Sequence, residues 1–265
     1  MSKALLSVVV ALLPAVGWAA GSVTGAAILV PQLAPGQTYS NVFSIMHSLK
    51  ADGYDEYVRR NGGSADYTVL AAAAQLWRVR SAWRYDGQPG GIDEAELRDG
   101  GRTACTVKAD AHLSCQAYLD GSGLIYNPTL WGDVPPQLRA GQTWKVEVTP
   151  AWELGGANGL EQVTVQSVDA AAGSAVLMRE GRSTGAFGEG EPQQRQLTRN
   201  GQTETLDITP GTAHWKGYTT IVRGVIFSDE LLVTRDATLK ARDGHTVTAT
   251  ERWIMLLNSA PFPTN

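Results

Sequence analysis

The strongest constraint on the fold is a set of aspartate–glycine and asparagine–glycine pairs that recurs along the chain. The pairs are Asp52-Gly53, Asn61-Gly62, Asp86-Gly87, Asp99-Gly100, Asp120-Gly121, Asn158-Gly159, Asn200-Gly201 and Asp243-Gly244. Two-residue hairpin turns need positive φ angles at their central positions, and Asn, Asp and Gly tolerate these angles. We therefore expect a chain that reverses direction often and through short turns.

Several segments between these pairs alternate in the period of a β-strand. From Trp77 to Tyr85, most odd-numbered positions carry apolar residues, and three of the even-numbered positions carry arginine. Segments 144–149 and 246–251 alternate in a similar way, 163–178 is expected to form two strands and a turn, and 218–257 is largely strand-like. Such alternation is typical of antiparallel sheets with one buried face. The predicted fold is all-β, either a sandwich or an open or closed barrel.

Helix is predicted only near the amino terminus, in one or two short pieces. Val42, Ile45, Met46 and Leu49 fit one helical stripe. The segment 67–74 fits a helix and a strand, and we favour the strand.

Two long loops are also expected. The segment 181–196 is rich in Gly and Gln, and 127–136 holds three prolines. Proline cannot donate to a sheet ladder, which favours a loop over 127–136.

The first nineteen residues have the layout of a secretory signal peptide. Lys3 precedes a short apolar run from Ala4 to Val16, and small residues precede a cleavage position after Ala19. This run is too short to span a bilayer, which takes roughly 20 residues. We therefore expect residues 20–265 to form a single β-rich domain in the periplasm or the medium, with no stable membrane anchor after cleavage.

The chain has two cysteines, Cys105 and Cys115. Exported proteins oxidise paired thiols, and the nine intervening residues fit a hairpin that would place the two cysteines opposite each other. The sequence thus predicts a structural disulfide between Cys105 and Cys115. Metal binding or redox chemistry is a weaker alternative, since the spacing is not that of a CxxC motif.

The charge balance argues against nucleic acid as a partner. The formal net charge is −4, and no run of basic residues occurs. A protein that binds nucleic acid or anionic lipid needs a concentrated positive surface.

Signatures of catalysis, metal binding and cofactor binding are missing from the sequence. The chain has no GxSxG motif, no HExxH motif and no phosphate-binding glycine loop. Carboxylate groups near Asp93, Asp52 and Asp229 leave open a hydrolase or lyase that uses paired acids.

Tryptophan is more suggestive of function. Trp77, Trp83, Trp144 and Trp253 lie in predicted strands and are expected to fill the core. The candidates for ligand binding are Trp131, Trp152, Trp215, His214 and Tyr218, which lie near predicted loops or strand ends.

These observations favour an exported binding protein with an aromatic-lined site for an apolar, carbohydrate or protein ligand. The alternatives are a secreted hydrolase or lyase that uses carboxylates, His214 or Tyr218, and a protein-interaction or inhibitor module. We expect neither a metal nor a cofactor.

Overall fold

The structure is a computed structural model. It describes residues 28–29, 31–73, 76–98, 103–107, 113–114, 135, 137–148, 157–187 and 194–259. The predicted signal peptide lies outside these residues, so its cleavage stays a prediction. Helical geometry is found in this part of the chain only at Ile28 and Leu29. None of the helical structure described is long and apolar enough to cross a lipid bilayer.

Thirteen strands are found in the described residues, and all belong to one antiparallel sheet. The first six are β1 (Thr38–Ala51), β2 (Tyr57–Ala73), β3 (Leu76–Tyr85), β4 (Gln88–Arg98), β5 (Thr103–Val107) and β6 (Leu113–Ser114). The others are β7 (Thr143–Val148), β8 (Ala157–Asp169), β9 (Ser174–Phe187), β10 (Gln194–Arg199), β11 (Gln202–Val222), β12 (Val225–Lys240) and β13 (Thr246–Ser259).

The strand order is β6-β5-β4-β3-β2-β1-β13-β12-β11-β9-β8-β7, and β10 pairs with β11 outside this path. The all-β, antiparallel prediction is confirmed. The predicted sandwich and closed barrel are not confirmed. The described strands form one sheet, and its end strands β6 and β7 do not pair with each other.

Four of the predicted turns are confirmed as tight connections between consecutive strands. They are Asp52-Gly53, Asp86-Gly87, Asn200-Gly201 and Asp243-Gly244. In the turn between β3 and β4, Asp86 has a φ of 47° and Gly87 a φ of 78°. The turn between β11 and β12 was not predicted, because its first residue with positive φ is Arg223. Asp99-Gly100 and Asp120-Gly121 lie outside the described residues.

Two of the predicted turns are wrong. Asn61-Gly62 lies inside β2, and Asn158-Gly159 lies inside β8. Asn61 and Gly62 pair with β1, and Gly159 pairs with Val148 and Ser183, so the chain does not reverse at either place.

The predicted helix over 42–49 is also wrong, because this segment belongs to β1. Ile45 and Leu49 lie on one side of the strand, and Val42 and Met46 lie on the other. A spacing of four is even, so it places residues on one face of a strand as well as of a helix. Pairing with β2 and β13 along most of the strand decides between the two.

The predicted loop over 181–196 is wrong at both of its ends. β9 continues to Phe187, and β10 begins at Gln194. The other predicted loop, 127–136, lies almost entirely outside the described residues.

The sheet curls around one of its faces, which we call the inner face. This face carries the odd-numbered residues of β1, β12 and β13 and their cross-strand partners. The amide of Asp55, in the turn after β1, donates to the carbonyl of Thr198 in β10 at 2.8 Å. Val225, at the start of β12, lies in one apolar cluster with Tyr67 and Trp77 of β2 and β3. Strands that are distant in the strand order thus meet across the inner face.

The sheet forks at β11, and the fork closes one end of the inner face. The first part of β11 pairs with β10, and the part after a bulge between Pro210 and Ala213 pairs with β9. Leu197 of β10 then packs against Leu49 and Leu239 in a buried cluster. This region is called the closed end below.

Candidate ligand-binding site

A row of residues in register crosses the inner face away from the closed end. Its members are Asp229, Leu257, Phe43, Gly63 and Tyr85, on β12, β13, β1, β2 and β3. Neighbouring strands are about 4.8 Å apart, so Phe43 lies about 10 Å along the row from Asp229, and Tyr85 about 19 Å. The row connects an acid to exposed aromatic residues.

The exposed part of this face is apolar and aromatic. Trp83 is 38% exposed and Tyr85 is 39% exposed. Phe43 is half-buried, and its ring centroid lies 5.9 Å from that of Tyr85 in a tilted arrangement. Ile45 and Met255 are also half-buried. These five residues are called the inner aromatic patch.

Glycines of β4 support the Trp83 ring. A Cβ added to Gly91 would lie 3.4 Å from atoms of the indole, and a Cβ added to Gly90 would overlap the ring. The indole therefore lies directly on the β4 backbone. A partly exposed aromatic ring can contact an apolar or planar group. Trp83, which we expected to fill the core, instead forms an exposed surface.

Trp215 has the opposite environment. It is 3% exposed, and its indole lies over Gly159 and Gly181. Its Nε1–H donates to Glu161 Oε2 at 2.7 Å. Trp215 is thus part of the packed interior in the described structure.

The other candidates for ligand binding do not converge with Trp215. His214 is exposed and Tyr218 is partly exposed, and both lie on the outer face of β11. Trp131 and Trp152 lie outside the described residues, so their role stays a prediction.

Asp229 belongs to a group of polar residues called the Asp229 cluster, which also contains Glu161, Arg179, Trp215 and Thr219. The Thr219 hydroxyl donates to Asp229 Oδ1 at 2.6 Å. Arg179 donates from Nε to Glu161 Oε1 at 3.1 Å, and its Nη1 lies 3.7 Å from Asp229 Oδ2. Burial raises the pKa of Asp229 above its ordinary 3.8, since the Arg179 charge and the Thr219 hydrogen bond only partly oppose it.

A second group, the Glu251 cluster, lies towards the closed end and contains His47, Arg195, Arg235, Glu251 and Trp253. Arg235 Nε donates to Glu251 Oε2 at 2.7 Å, and His47 Nε2 lies 2.6 Å from Oε1. Burial would raise the pKa of Glu251, but the His47 hydrogen bond and the Arg235 charge outweigh it and lower that pKa below 4.5.

The Trp253 ring fixes the other members of the Glu251 cluster. The His47 ring stacks on it with centroids 4.6 Å apart and planes 2° apart. The Arg235 guanidinium carbon lies 4.7 Å from the ring centroid. Trp253 was expected to fill the core, and its 7% exposure confirms this.

The predicted acids whose side chains the structure describes do not form a catalytic pair. Asp229 lies on the inner face, whereas its neighbour Glu230 is exposed on the outer face. Glu94 of β4 binds Arg78 at 2.6 Å and Arg80 at 2.7 Å in a surface ion-pair network. The described residues contain no group of three or more metal-ligating side chains.

The predicted hairpin between the cysteines is confirmed by the pairing of β5 with β6, which matches Thr106 with Ser114 and Val107 with Leu113. Cys105 lies in β5, and Cys115 lies outside the described residues. The disulfide between them stays a prediction.

Sequence reasoning missed Phe43 and Glu251, and it considered Asp229 only as a member of a catalytic acid pair. One signal for the aromatic patch was present in the sequence. Gly90 and Gly91 follow the Asp86-Gly87 turn, so the hairpin register could have placed them beside Trp83. Nothing local to the sequence indicates the partners of the two acids.

No protein-family model matches the chain, and no curated protein matches it. Among solved structures, the chain is similar to lipovitellin, with 10% identity and a TM-score of 0.40 over 88% of this chain. The match covers 26% of the lipovitellin chain, so this chain spans about a quarter of it.

Two further similarities are to the attachment invasion locus protein Ail of Yersinia pestis and to a mutant porin of Rh. blastica. Ail is 6% identical with a TM-score of 0.18, over 86% of this chain and 100% of that chain. The porin is 7% identical with a TM-score of 0.22, over 84% of this chain and 100% of that one. Likenesses this low assign the chain to no family.

Proposed function

We propose that this protein is an exported binding protein that holds an apolar ligand on the inner aromatic patch. The observation that supports this most strongly is the exposure of Trp83 and Tyr85, at 38% and 39%, on a face that is elsewhere packed. Large aromatic side chains gain free energy when a ligand covers them. A concave surface lined by aromatic residues is a common form of ligand site.

The composition of the patch favours an apolar ligand over a carbohydrate. Ile45 and Met255 adjoin the aromatic rings, and buried Leu257 continues the row towards Asp229. A sugar needs several hydrogen-bond partners around the ring that it stacks on. Within the patch, polar groups are limited to the Trp83 indole N–H and the Tyr85 hydroxyl.

The positions of His214, Tyr218 and Asp229 favour binding over hydrolysis. Acid–base catalysis needs its groups within hydrogen-bond reach of one substrate atom. His214 and Tyr218 lie on the outer face, and Asp229 lies on the inner face.

Export and oxidation of the cysteines are part of the proposal. The sequence layout supports cleavage after Ala19, so the intact mass of the native protein should correspond to a chain that begins at Ala20 or Gly21. A retained leader in soluble protein would contradict export. Reactive thiols in protein from its natural compartment would contradict the disulfide.

The ligand site can be tested with N-phenyl-1-naphthylamine, an uncharged apolar fluorophore. Trp83→Ala should weaken its binding about fivefold to tenfold, because the ring that it would stack on is removed. Leu232→Ala is a matched control, since Leu232 is 44% exposed on the outer face.

Fluorescence titration of the two variants shows which face of the sheet binds the fluorophore. Unchanged binding in Leu232→Ala together with weakened binding in Trp83→Ala is the expected result. Loss of binding in Leu232→Ala alone would place the apolar site on the outer face, and no binding by the wild type would remove the proposed function.

A further inference from the structure

An exposed arginine lies on the inner face between the Glu251 cluster and the inner aromatic patch. Arg59 of β2 is the cross-strand partner of His47 in β1, so both side chains lie on the inner face. Arg59 is exposed and makes no ion pair with a described residue. Its described side-chain hydrogen bond donates from Nε to Asn61 Oδ1 at 3.2 Å. The terminal nitrogens of its guanidinium are therefore available to an anion.

Arg195 supplies a second guanidinium with incomplete hydrogen bonding. Its side chain comes from β10 and is 14% exposed. Its described hydrogen bonds, to Glu251 and to the Gln194 carbonyl, are both 3.4 Å long. An acceptor for its buried Nε–H is not found among the described residues. Because a buried charged donor without an acceptor is costly, the positive charge of Arg195 is only partly balanced by the described structure.

The charges at this end of the inner face favour a negative partner. Arg195 and Arg235 share one buried carboxylate, that of Glu251. Arg59 adds a further positive charge beside them. The acidic pair Asp55-Glu56, in the turn before β2, is exposed, so water and salt screen its charges. An anion would balance the excess of positive charge, whereas a cation would be repelled by it. The arginines come from β2, β10 and β12, so their charges do not form a basic run in the sequence.

An accessible route leads from Arg59 to the inner aromatic patch. Asn61 and Gly63 follow Arg59 on the inner side of β2. Gly63 is the cross-strand partner of Phe43 in β1 and of Tyr85 in β3, and it lies about 13 Å along β2 from Arg59. The residues of this route are all partly or fully exposed, with Tyr85 at 39%. A ligand with a charged end at Arg59 would therefore reach the aromatic rings along the surface of the inner face.

We propose that the ligand is an anionic amphiphile whose carboxylate pairs with Arg59, on the side of Arg195, while its apolar chain lies along this route to the inner aromatic patch. This inference rests on the proposed function and adds the chemistry of the ligand's polar end. Arginine suits this partner, because its planar guanidinium binds a carboxylate through two parallel hydrogen bonds. The whole chain has a formal net charge of −4, so a preference for an anion has to come from this local group.

The test compares three probes of equal chain length at concentrations below their micelle formation: decanoate, decan-1-ol and decylamine. Each is titrated by displacement of N-phenyl-1-naphthylamine at neutral pH and low ionic strength, where charges are least screened. The wild type should bind decanoate about fivefold more tightly than decan-1-ol, as expected for an ion pair that is partly exposed to water. It should bind decylamine more weakly than either.

Arg59→Gln removes the charge and keeps a polar side chain. It should reduce decanoate binding to the level of decan-1-ol and leave decan-1-ol within about twofold of the wild type. The alcohol therefore reports that the variant is folded and that the apolar site is intact. Arg60→Gln is the matched control, since Arg60 is the next residue of β2, is exposed and lies on the outer face. It makes the same change in net charge and should keep the full preference for decanoate.

The outcomes separate the two proposals. Equal binding of decanoate and decan-1-ol by the wild type overturns the anionic ligand and leaves the apolar site standing. A preference for decanoate that survives in Arg59→Gln, or that Arg60→Gln abolishes as well, has the same consequence. Failure of every probe to bind, including the fluorophore, overturns the proposed function too.

Discussion

Two acids on the same face of one sheet, one buried and one partly buried, have opposite electrostatic environments. Glu251 is fully buried, accepts from Arg235 and pairs with His47, and its pKa is lowered. Asp229 keeps 19% exposure and has a distant arginine, and its pKa is raised. Burial disfavours ionisation in both, so the number and closeness of the cationic partners determine the direction of the shift.

The difference indicates separate roles for the two clusters. The Glu251 cluster lies towards the closed end, where the turn after β1 meets β10, and Arg195 of β10 reaches Glu251 at 3.4 Å. It joins β1, β10, β12 and β13 and holds the curl of the sheet. The Asp229 cluster is held less tightly and lies on the row that leads to the inner aromatic patch.

The largest expected effect comes from neutralising Glu251. Glu251→Gln keeps the shape of the side chain but removes the charge that pairs with the fully buried Arg235, which should cost about 3–5 kcal/mol of unfolding free energy. Urea denaturation at neutral pH measures this loss. The matched change Asp229→Asn should cost less than about 1 kcal/mol, since it removes a charge that burial already disfavours. Equal losses in the two variants would mean that the clusters do not differ.

The second effect concerns the hydrogen bonds to the two acids. His47→Phe preserves a ring that can stack on Trp253 and removes the contact with Glu251, which should cost about 1.5–3 kcal/mol. Thr219→Val, which removes the donor to Asp229, should cost only about 0.5–1.5 kcal/mol. Chemical denaturation of the two variants in one buffer measures both losses of unfolding free energy. A larger loss for Thr219→Val than for His47→Phe would contradict the prediction.

The sequence predicts the turns of this molecule better than its polar clusters. Asp86-Gly87 and Asn200-Gly201 are local features, and a positive φ at these pairs is required by the turn itself. The helix expected at Val42–Leu49 failed because a spacing of four residues suits both structures. Only pairing with β13, about two hundred residues later in the chain, resolves it.

The site was harder to predict for the same reason. Trp83 and Trp215 both lie in strands beside glycines, yet one is exposed and the other buried. Their environments depend on which strands the curl brings over them. His47 and Glu251 meet across a separation of 204 residues, so no local pattern could pair them.

The third prediction tests how Trp215 fixes Glu161 in the Asp229 cluster. In Gly181→Ala, the new Cβ would lie 2.5 Å from the Trp215 ring and 2.6 Å from the Leu160 carbonyl, so the indole must move. Overpacking of this kind should cost about 1–3 kcal/mol. Gly91→Ala is the control, because its Cβ would lie 3.4 Å from Trp83, an ordinary contact. Thermal unfolding of both variants should show a lowered melting temperature for Gly181→Ala alone. Equal melting temperatures would mean that Trp215 is not confined.

The smallest effect is the most diagnostic, because the two acids should change stability with pH in opposite directions. The lowered pKa of Glu251 stabilises the fold above its ordinary 4.5, and this contribution is lost as the pH falls through the folded-state pKa. The deficit of Glu251→Gln should therefore shrink in acid. The raised pKa of Asp229 stabilises the fold below its ordinary 3.8, and this contribution is lost as the pH rises through the folded-state pKa. Asn does not titrate, so the stability of Asp229→Asn relative to the wild type should rise as the pH is raised from acid to neutral. Denaturation curves measured across this pH range give the unfolding free energy of the wild type and of each variant at each pH. If the wild type and Asp229→Asn change in parallel with pH, Asp229 ionises as easily as an exposed acid.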